Sequence, residues 1–219
     1  MSLVFVDVEA WGSCPATGRL TEFGAVLYDQ VQGEPHCTKC PTTAQHPWFH
    51  GIILSSTPSE KNPAVPAERA ISDVPYHNLA ATVFHEFESW LKVHSEGRPV
   101  AVSDNIAYDW QWLNEGFHRH LGHNPCGFSG RRISDFYAGL VGNFRETQQW
   151  KRYRITAHDH NPVHDCTGNL EAFQTIVQTL KKAKKADQFH PLSHNLFWQQ
   201  SDIVKSFYLP KDTIVFSQE

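Results

Sequence analysis

Two acidic residues at the end of an apolar stretch are the first sign of chemistry in this sequence. Asp7 and Glu9 belong to residues 3–9, and all the remaining residues of this stretch are apolar. Because side chains alternate along a strand, both carboxylates point to the same face. Burying two like charges side by side is unfavourable unless a cation neutralises them. Such oxygen ligands favour magnesium or manganese; the alternative is a strand end whose acids are simply solvated.

A third acid, Asp109, follows a polar turn at residues 103–105 and begins an apolar stripe that continues through Leu113 and Phe117. The carboxyl end of a strand is where ligands gather in an open α/β sheet. The helix dipole alone also favours a carboxylate in a first turn, so a structural role is the alternative. Asp104 lies in the turn itself, where Asp is common for backbone reasons, and it is assigned no role.

A histidine-rich segment precedes the fourth acid. His158, His160 and His164 all lie within seven residues before Asp165, which we predict to begin a helix that runs to residue 182. Imidazole suits proton transfer near neutral pH because its unperturbed pKa is about 6.5. Composition alone does not choose among the three histidines.

The elements that position these residues are predicted from apolar periodicity. Residues 3–9 and 20–28 read as an antiparallel hairpin. The amphipathic stretch 79–91, with Asn78 as its N-cap, predicts a crossover helix. Residues 98–103 then form a short strand parallel to the first, because a crossover connection joins parallel strands. The order of elements predicts an α/β fold with a mixed sheet.

The length of the chain, 219 residues, fits one domain with a tail. We expect a domain over residues 1–185 and a tail over 186–219 that docks on it. The net charge of −4 excludes a protein that coats nucleic acid by bulk charge. Five cysteines and the lack of a cationic leader predict reduced thiols and a cytoplasmic setting. No apolar run is long enough to span a bilayer, so no membrane partner is expected.

A local basic and aromatic segment, residues 130–154, departs from this acidic balance. Such a segment beside an acidic metal site is what a polyanionic substrate needs, and a solvated surface is the alternative. Its members are Arg131, Arg132, Arg145, Trp150, Lys151, Arg152, Tyr153 and Arg154.

A second metal hypothesis concerns residues 36–42, which we read as a third strand. Cys37 and Cys40 lie in it, and His46 and His50 follow. These four residues could hold zinc, which would make the chain a zinc-stabilised interaction module. The short Cys-to-His gap and the single pair of cysteines argue against this reading.

Taken together, the motifs resemble the DEDD superfamily of 3′-5′ exonucleases, in its histidine-bearing (DEDDh) branch. The resemblance covers residues 3–180 in motif order and implies a ribonuclease H-like fold, α/β, with a mixed sheet and helices on both faces. Residues 103–112 and 133–140 look most like phage-type and bacterial exonucleases related to small exoribonucleases. The motifs that carry it are FVDVE at 5–9, TEFGAV at 21–26, VSDNIAYD at 102–109 and HNPVHD at 160–165.

The resemblance implies a mechanism with two Mg²⁺ or Mn²⁺ ions. Asp7 would bridge them, Glu9 and Asp165 would complete one site, and Asp109 would hold the other ion. The family spacing selects His160 as the general base.

The same resemblance places four residues at the substrate. Asn105 and Tyr108 belong to the second motif, while Ala10 and Trp11 follow the first. Many members have Thr where this chain has Ala10, so the resemblance implies that one polar contact near the substrate end is missing. Trp11 could stack on a base or a sugar, or close the end of the core.

The expected partner is the 3′ end of single-stranded RNA or DNA, hydrolysed to nucleoside monophosphates. An inactive nucleic-acid-binding domain of the same fold is the alternative function. RNA and DNA are told apart by contacts to the 2′-hydroxyl, which the sequence does not place. Homodimers are common among similar proteins, and we expect one here.

Overall fold

The structure is a computed structural model and describes residues 1–28, 46–53 and 80–185. Five strands and four α-helices make up this part of the chain, with one 3-10 helix, Gln149–Tyr153. The strands are β1 (Ser2–Trp11), β2 (Arg19–Tyr28), β3 (Trp48–Ile52), β4 (Pro99–Ser103) and β5 (Arg131–Arg132), and the helices are α1 (Ala80–His94), α2 (Ile106–Leu121), α3 (Ile133–Val141) and α4 (Pro162–Lys185).

One mixed sheet organises the described residues, with the strand order β3-β2-β1-β4-β5. β1 pairs antiparallel with β2 and parallel with β4, as the sequence predicts. β3 extends the antiparallel half and β5 the parallel half. The α/β fold class is therefore confirmed, and β1 lies at the centre of the sheet.

Two apolar cores cover the two faces of this sheet. Val4, Val6 and Val8 pack against α1 and α2 on one face. Phe5 packs against α3 and α4 on the other, with buried side chains such as Leu170. Because β1 alternates, Asp7 and Glu9 share the face of Phe5 and point towards α4.

The predicted start of α4 is wrong, and one strand was missed. α4 begins at Pro162 rather than Asp165. Proline is favoured at the first helical position, because its fixed φ suits the helix and no partner is needed for an N–H there. β3 was not predicted. A side chain at its Gly51 would lie 2.7 Å from both the Phe23 ring and Val83 Cγ1, so this strand is held by close packing that local sequence does not reveal.

Other predictions concern residues outside the described ranges. These are the third strand at 36–42, the N-cap Asn78 and the tail 186–219. The division into a domain and a docked tail therefore stays a prediction. Across the part of the chain that the structure covers, every helix is too short or too polar to be a candidate membrane span.

Candidate active site

Asp7 and Glu9 lie next to an irregularity in the β1–β2 ladder. Glu9 faces Glu22 across the pair, but Ala10 faces Leu20, so the register shifts between Glu9 and Ala10. Thr21 Oγ1 donates a hydrogen bond of 2.8 Å to the Glu9 carbonyl at this point. Such bulges bend a strand and re-aim its side chains, and they are frequent beside active sites.

A glycine allows α4 to approach the two acids. Gly24 is the partner of Asp7 on β2. A Cβ atom at Gly24 would lie 2.4 Å from the carbonyl carbon and oxygen of Pro162. The first turn of α4 therefore packs directly on the backbone of β2. This contact brings Asp165, in the same turn, to the acids of β1.

Three carboxylates meet as a result. Asp7, Glu9 and Asp165 each offer one oxygen, and these oxygens lie within 4.8 Å of one another. Asp109 lines the same cavity from the first turn of α2, with 4% of its surface exposed. The four acids predicted from three separate motifs thus lie in one cavity. Its lining residues are Asp7, Val8, Glu9, Asp104, Asn105, Tyr108, Asp109, Arg154, His158, His160, Asp165 and Asn169.

The electrostatics of the cavity disfavour negative charge. Burial raises the pKa of Asp109 to about 7. Burial, and then the neighbouring Asp109 and Asp165, raise the pKa of Asp7 well above its usual value. Burial also raises the pKa of Glu9, although His160 opposes that shift. In the absence of a cation, burial therefore disfavours the ionised form of each of these three carboxyls.

The three histidines occupy different places. His160 Nδ1 lies 3.4 Å from Glu9 Oε1, and 57% of the His160 side chain is exposed. Its φ of 61° is in the left-handed region, which non-glycine residues seldom adopt. His158 Nδ1 lies 2.6 Å from Asp165 Oδ2. His164 is not part of the cavity lining and pairs with Asp159 at 2.8 Å. Two histidines, rather than the one predicted, therefore line the cavity.

The predicted substrate residues divide into two pairs. Asn105 and Tyr108 line the cavity, and the Tyr108 hydroxyl donates to the Gly12 carbonyl at 3.2 Å. Ala10 and Trp11 end β1 beyond the register shift and do not belong to the lining described above. Trp11 is 47% exposed, so its ring offers a face to solvent near the site.

Besides His158, sequence reasoning missed three polar residues of the cavity. Asp104, which was assigned no role, lines it and pairs with Lys151 Nζ at 2.7 Å. Arg154 donates to Asp165 Oδ1 at 2.9 Å. Asn169 is 2% exposed, and its Oδ1 has no hydrogen-bond partner within the described ranges. The position of Asn169, four residues after Asp165, was the available signal, because such residues share a helix face.

The basic segment does not form a single surface. Arg154 turns inward to Asp165, and Arg152 Nη2 donates to the Tyr153 hydroxyl at 2.9 Å. Arg132 Nε donates to the Asp104 carbonyl at 2.9 Å. Trp150 is fully buried. Several members thus stabilise the protein, and their role towards a polyanion stays a prediction.

The zinc hypothesis involves residues on both sides of the described boundary. Cys37 and Cys40 lie outside the described ranges. His50 Nε2 lies 2.8 Å from Glu22 Oε2 on β2. His46 Nε2 lies 3.2 Å from Gln174 Nε2 on α4. Both imidazole rings thus contact side chains of β2 or α4. These contacts do not favour a zinc site.

The acid cluster fits a hard divalent cation. All of its close-lying ligand atoms are carboxylate oxygens, the type that magnesium and manganese prefer. The orphaned Asn169 Oδ1 adds a buried acceptor that could receive a hydrogen bond from a water ligand. The residues present therefore fit a divalent metal centre.

Comparison with known proteins identifies a relative in sequence, while no family model matches. The chain is 29% identical over 110 residues to the 3′-5′ DNA exonuclease Cap18 of Escherichia coli. The match covers 47% of this chain and 58% of that protein. The chain thus spans less than two thirds of the curated relative's length.

Solved structures with a similar fold are exonucleases. The nuclease domain of 3′hExo, a DEDDh family member bound to rAMP, gives a TM-score of 0.56 at 13% identity, over 81% of this chain and 92% of that one. A full-length 3′-exonuclease gives 0.54 at 12% identity, over 83% and 82%. Escherichia coli Exonuclease I in complex with a dA16 oligonucleotide gives 0.53 at 13% identity, over 84% and 42%. The chain has the fold of the DEDDh exonucleases, and the resemblance predicted from its motifs is confirmed.

Proposed function

We propose that this protein is a metal-dependent 3′-5′ exonuclease that hydrolyses phosphodiester bonds of single-stranded DNA or RNA to nucleoside monophosphates. The observation that carries the proposal is the convergence of Asp7, Glu9 and Asp165, whose carboxylate oxygens lie within 4.8 Å of one another. Asp109 and His160 line the same cavity. The similarity to a 3′-5′ DNA exonuclease supports the reaction class.

The four acids would hold two Mg²⁺ or Mn²⁺ ions. Bound there, these ions would polarise the scissile phosphate and lower the pKa of a bound water. Asp109 is buried and Asp7 is half-buried, so both would meet an ion away from bulk solvent. Glu9 and Asp165 complete the ligand set from two different elements, β1 and α4.

His160 is the proposed general base and takes the proton of the attacking water on a ring nitrogen. Its exposed position at the rim lets the ring exchange that proton with solvent after each turnover. Glu9, 3.4 Å from His160 Nδ1, stabilises the imidazolium that forms. Tyr108 and Asn105 line the side of the cavity where a 3′-terminal nucleotide would lie.

The test is cleavage of 5′-labelled single-stranded DNA and RNA of the same sequence, each with Mn²⁺, with Mg²⁺ and with EDTA. We expect a metal-dependent ladder that shortens from the 3′ end. Comparison of the two strands measures the sugar preference. Asp7→Ala and Asp165→Ala should abolish cleavage while the fold persists, because each removes a ligand that no neighbour replaces.

Asp135→Ala is the matched control, since Asp135 is an exposed acid on α3 and lies 3.6 Å from Arg132 in a surface ion pair. It should cleave like the wild type. Full activity in the Asp7→Ala or Asp165→Ala protein would refute the assignment. Binding of either strand without cleavage by the wild type would instead favour the inactive nucleic-acid-binding domain.

A further inference from the structure

Arg154 is a buried cation within the acid site. Its Nη2 lies 2.9 Å from Asp165 Oδ1, and the two side chains are only 9% and 1% exposed. No other lysine or arginine lines the cavity in the part of the chain that the structure covers. A pair so far from water keeps its geometry better than a surface ion pair does.

The loop that carries Arg154 is fixed to α4. Glu171 Oε2 accepts hydrogen bonds from the backbone N–H groups of Ile155 and Thr156, at 2.9 and 2.7 Å. Glu171 Oε1 accepts a third from Thr156 Oγ1 at 3.0 Å. Arg154 Nε in turn donates to the Thr156 carbonyl at 3.3 Å. The guanidinium itself makes two hydrogen bonds, to the Thr156 carbonyl and to Asp165 Oδ1, while the three bonds of Glu171 hold the backbone beside it.

α4 also leaves a space for this side chain. A Cβ atom at Gly168 would lie 2.5 Å from Arg154 Nε and 2.6 Å from the Thr156 carbonyl oxygen. Asp165, Gly168 and Glu171 recur at intervals of three, so they lie along one side of the helix. One face of α4 thus carries the carboxylate that pairs with Arg154, the glycine that leaves room for its side chain, and the glutamate that holds its loop.

The two oxygens of Asp165 have different surroundings. Oδ1 is held by Arg154. Oδ2 lies 2.6 Å from Nδ1 of His158, a residue that is 54% exposed and lines the cavity. Oδ2 is buried and makes no hydrogen bond within the described residues, so it is the oxygen that remains for a further ligand.

We propose that Arg154 is a positioning residue that holds Oδ1, so that Asp165 meets a divalent cation through Oδ2 alone. This inference rests on the proposed function, and it assigns Arg154 to the acid site rather than to the nucleic-acid backbone. The planar guanidinium of an arginine can orient a carboxylate as well as attract it. Substitution of residues that hydrogen-bond to metal ligands commonly lowers activity.

The first arm of the test compares steady-state cleavage by Arg154→Met, Arg154→Lys and Arg119→Met. Arg154→Met should lower kcat by about 10- to 100-fold and leave the KM for the oligonucleotide unchanged. Arg154→Lys should recover part of the loss, because an ammonium can still donate to Oδ1. Arg119 is an exposed arginine on α2 that pairs with Glu115 of the same helix, so Arg119→Met should keep the wild-type kcat.

A raised KM with unchanged kcat in Arg154→Met would show that Arg154 binds the phosphates of the substrate, and would overturn the proposal. A lowered thermal midpoint with unchanged kcat and KM would also overturn it, since the arginine would then only stabilise the fold.

The second arm does not depend on activity. Mn²⁺ affinity is measured by calorimetric titration of the wild type and both Arg154 variants. Arg154→Met should bind Mn²⁺ more tightly than the wild type, by about 3-fold or more, because it removes a nearby positive charge and frees a second oxygen of Asp165. Arg154→Lys should bind like the wild type. Weaker binding by Arg154→Met would overturn the proposal.

The two arms separate the inference from the proposed function. Wild-type protein that binds Mn²⁺ but cleaves neither strand would refute the proposed exonuclease activity. The Mn²⁺ affinities of the Arg154 variants would then be the test of the proposed role of Arg154. Wild-type protein that binds no Mn²⁺ would overturn both proposals.

Discussion

Gly24 offers a sharp test of how the site is assembled, because it has no side chain and takes no part in the chemistry itself. A Cβ atom there would lie 2.4 Å from Pro162 C and O, and 2.6 Å from Val163 N. Ordinary contacts begin at 3.4 Å, so the first turn of α4 must retreat by about 1 Å. Backbone atoms form both sides of this contact, and no side chain can rotate away.

The Gly24→Ala substitution should therefore affect both stability and activity. Overpacking of this kind costs about 1–3 kcal/mol in the free energy of unfolding. The same shift carries Asp165 away from Asp7 and Glu9, and a misplacement of about 1 Å in a catalytic group can lower the rate by about 100-fold. Urea unfolding measures the first effect, and kcat on single-stranded DNA with Mn²⁺ measures the second.

Gly139→Ala is the matched control for this experiment. Gly139 lies within α3, and a Cβ atom there would meet nothing within 4 Å. Alanine should stabilise this helix by about 0.5–1 kcal/mol and leave kcat unchanged. Wild-type stability and wild-type kcat in the Gly24→Ala protein would refute the claim that this close approach positions Asp165.

Two further predictions concern protons. In EDTA, the free energy of unfolding should fall as the pH rises from about 5 to 8, because the folded state retains protons on Asp109 and Asp7 that the unfolded chain has released. Urea unfolding across this range should show a smaller slope for Asp109→Asn, and an equal slope would contradict the assignment. His160→Ala should lower kcat by about 100-fold or more. His158→Ala should lower it less, because that ring contacts Asp165, and equal losses would contradict the choice of base.

The parts of the site that depend on the periodicity of a single strand or helix could be predicted from the sequence. Alternation along β1 places Asp7 and Glu9 on one face whatever the rest of the fold does. The position of Asp109 after a strand and a polar turn likewise places it at the carboxyl end of the sheet. The order of the motifs then implies the fold, which the exonuclease structures with TM-scores above 0.5 confirm.

The charge of a residue in the sequence, by contrast, did not predict which residue it contacts in the fold. Arg154 reads as one member of a basic segment, yet it turns inward to a buried carboxylate. Asp104 reads as a turn residue, yet it lines the cavity and pairs with Lys151. Neither pairing follows from spacing, because the partners lie 11 and 47 residues apart in the chain and meet only when the loops fold onto the sheet.

The sequence by itself determined which residues are candidates for the chemistry, since strand alternation and helix starts are properties of short segments. The tertiary structure decided how those residues meet. The close contact of α4 with Gly24 brings Asp165 to β1, and the space at Gly168 lets Arg154 reach Asp165. It also left Asn169 Oδ1 facing the cavity without a partner in the described part of the chain. These are contacts between distant segments, and packing in three dimensions alone selects them.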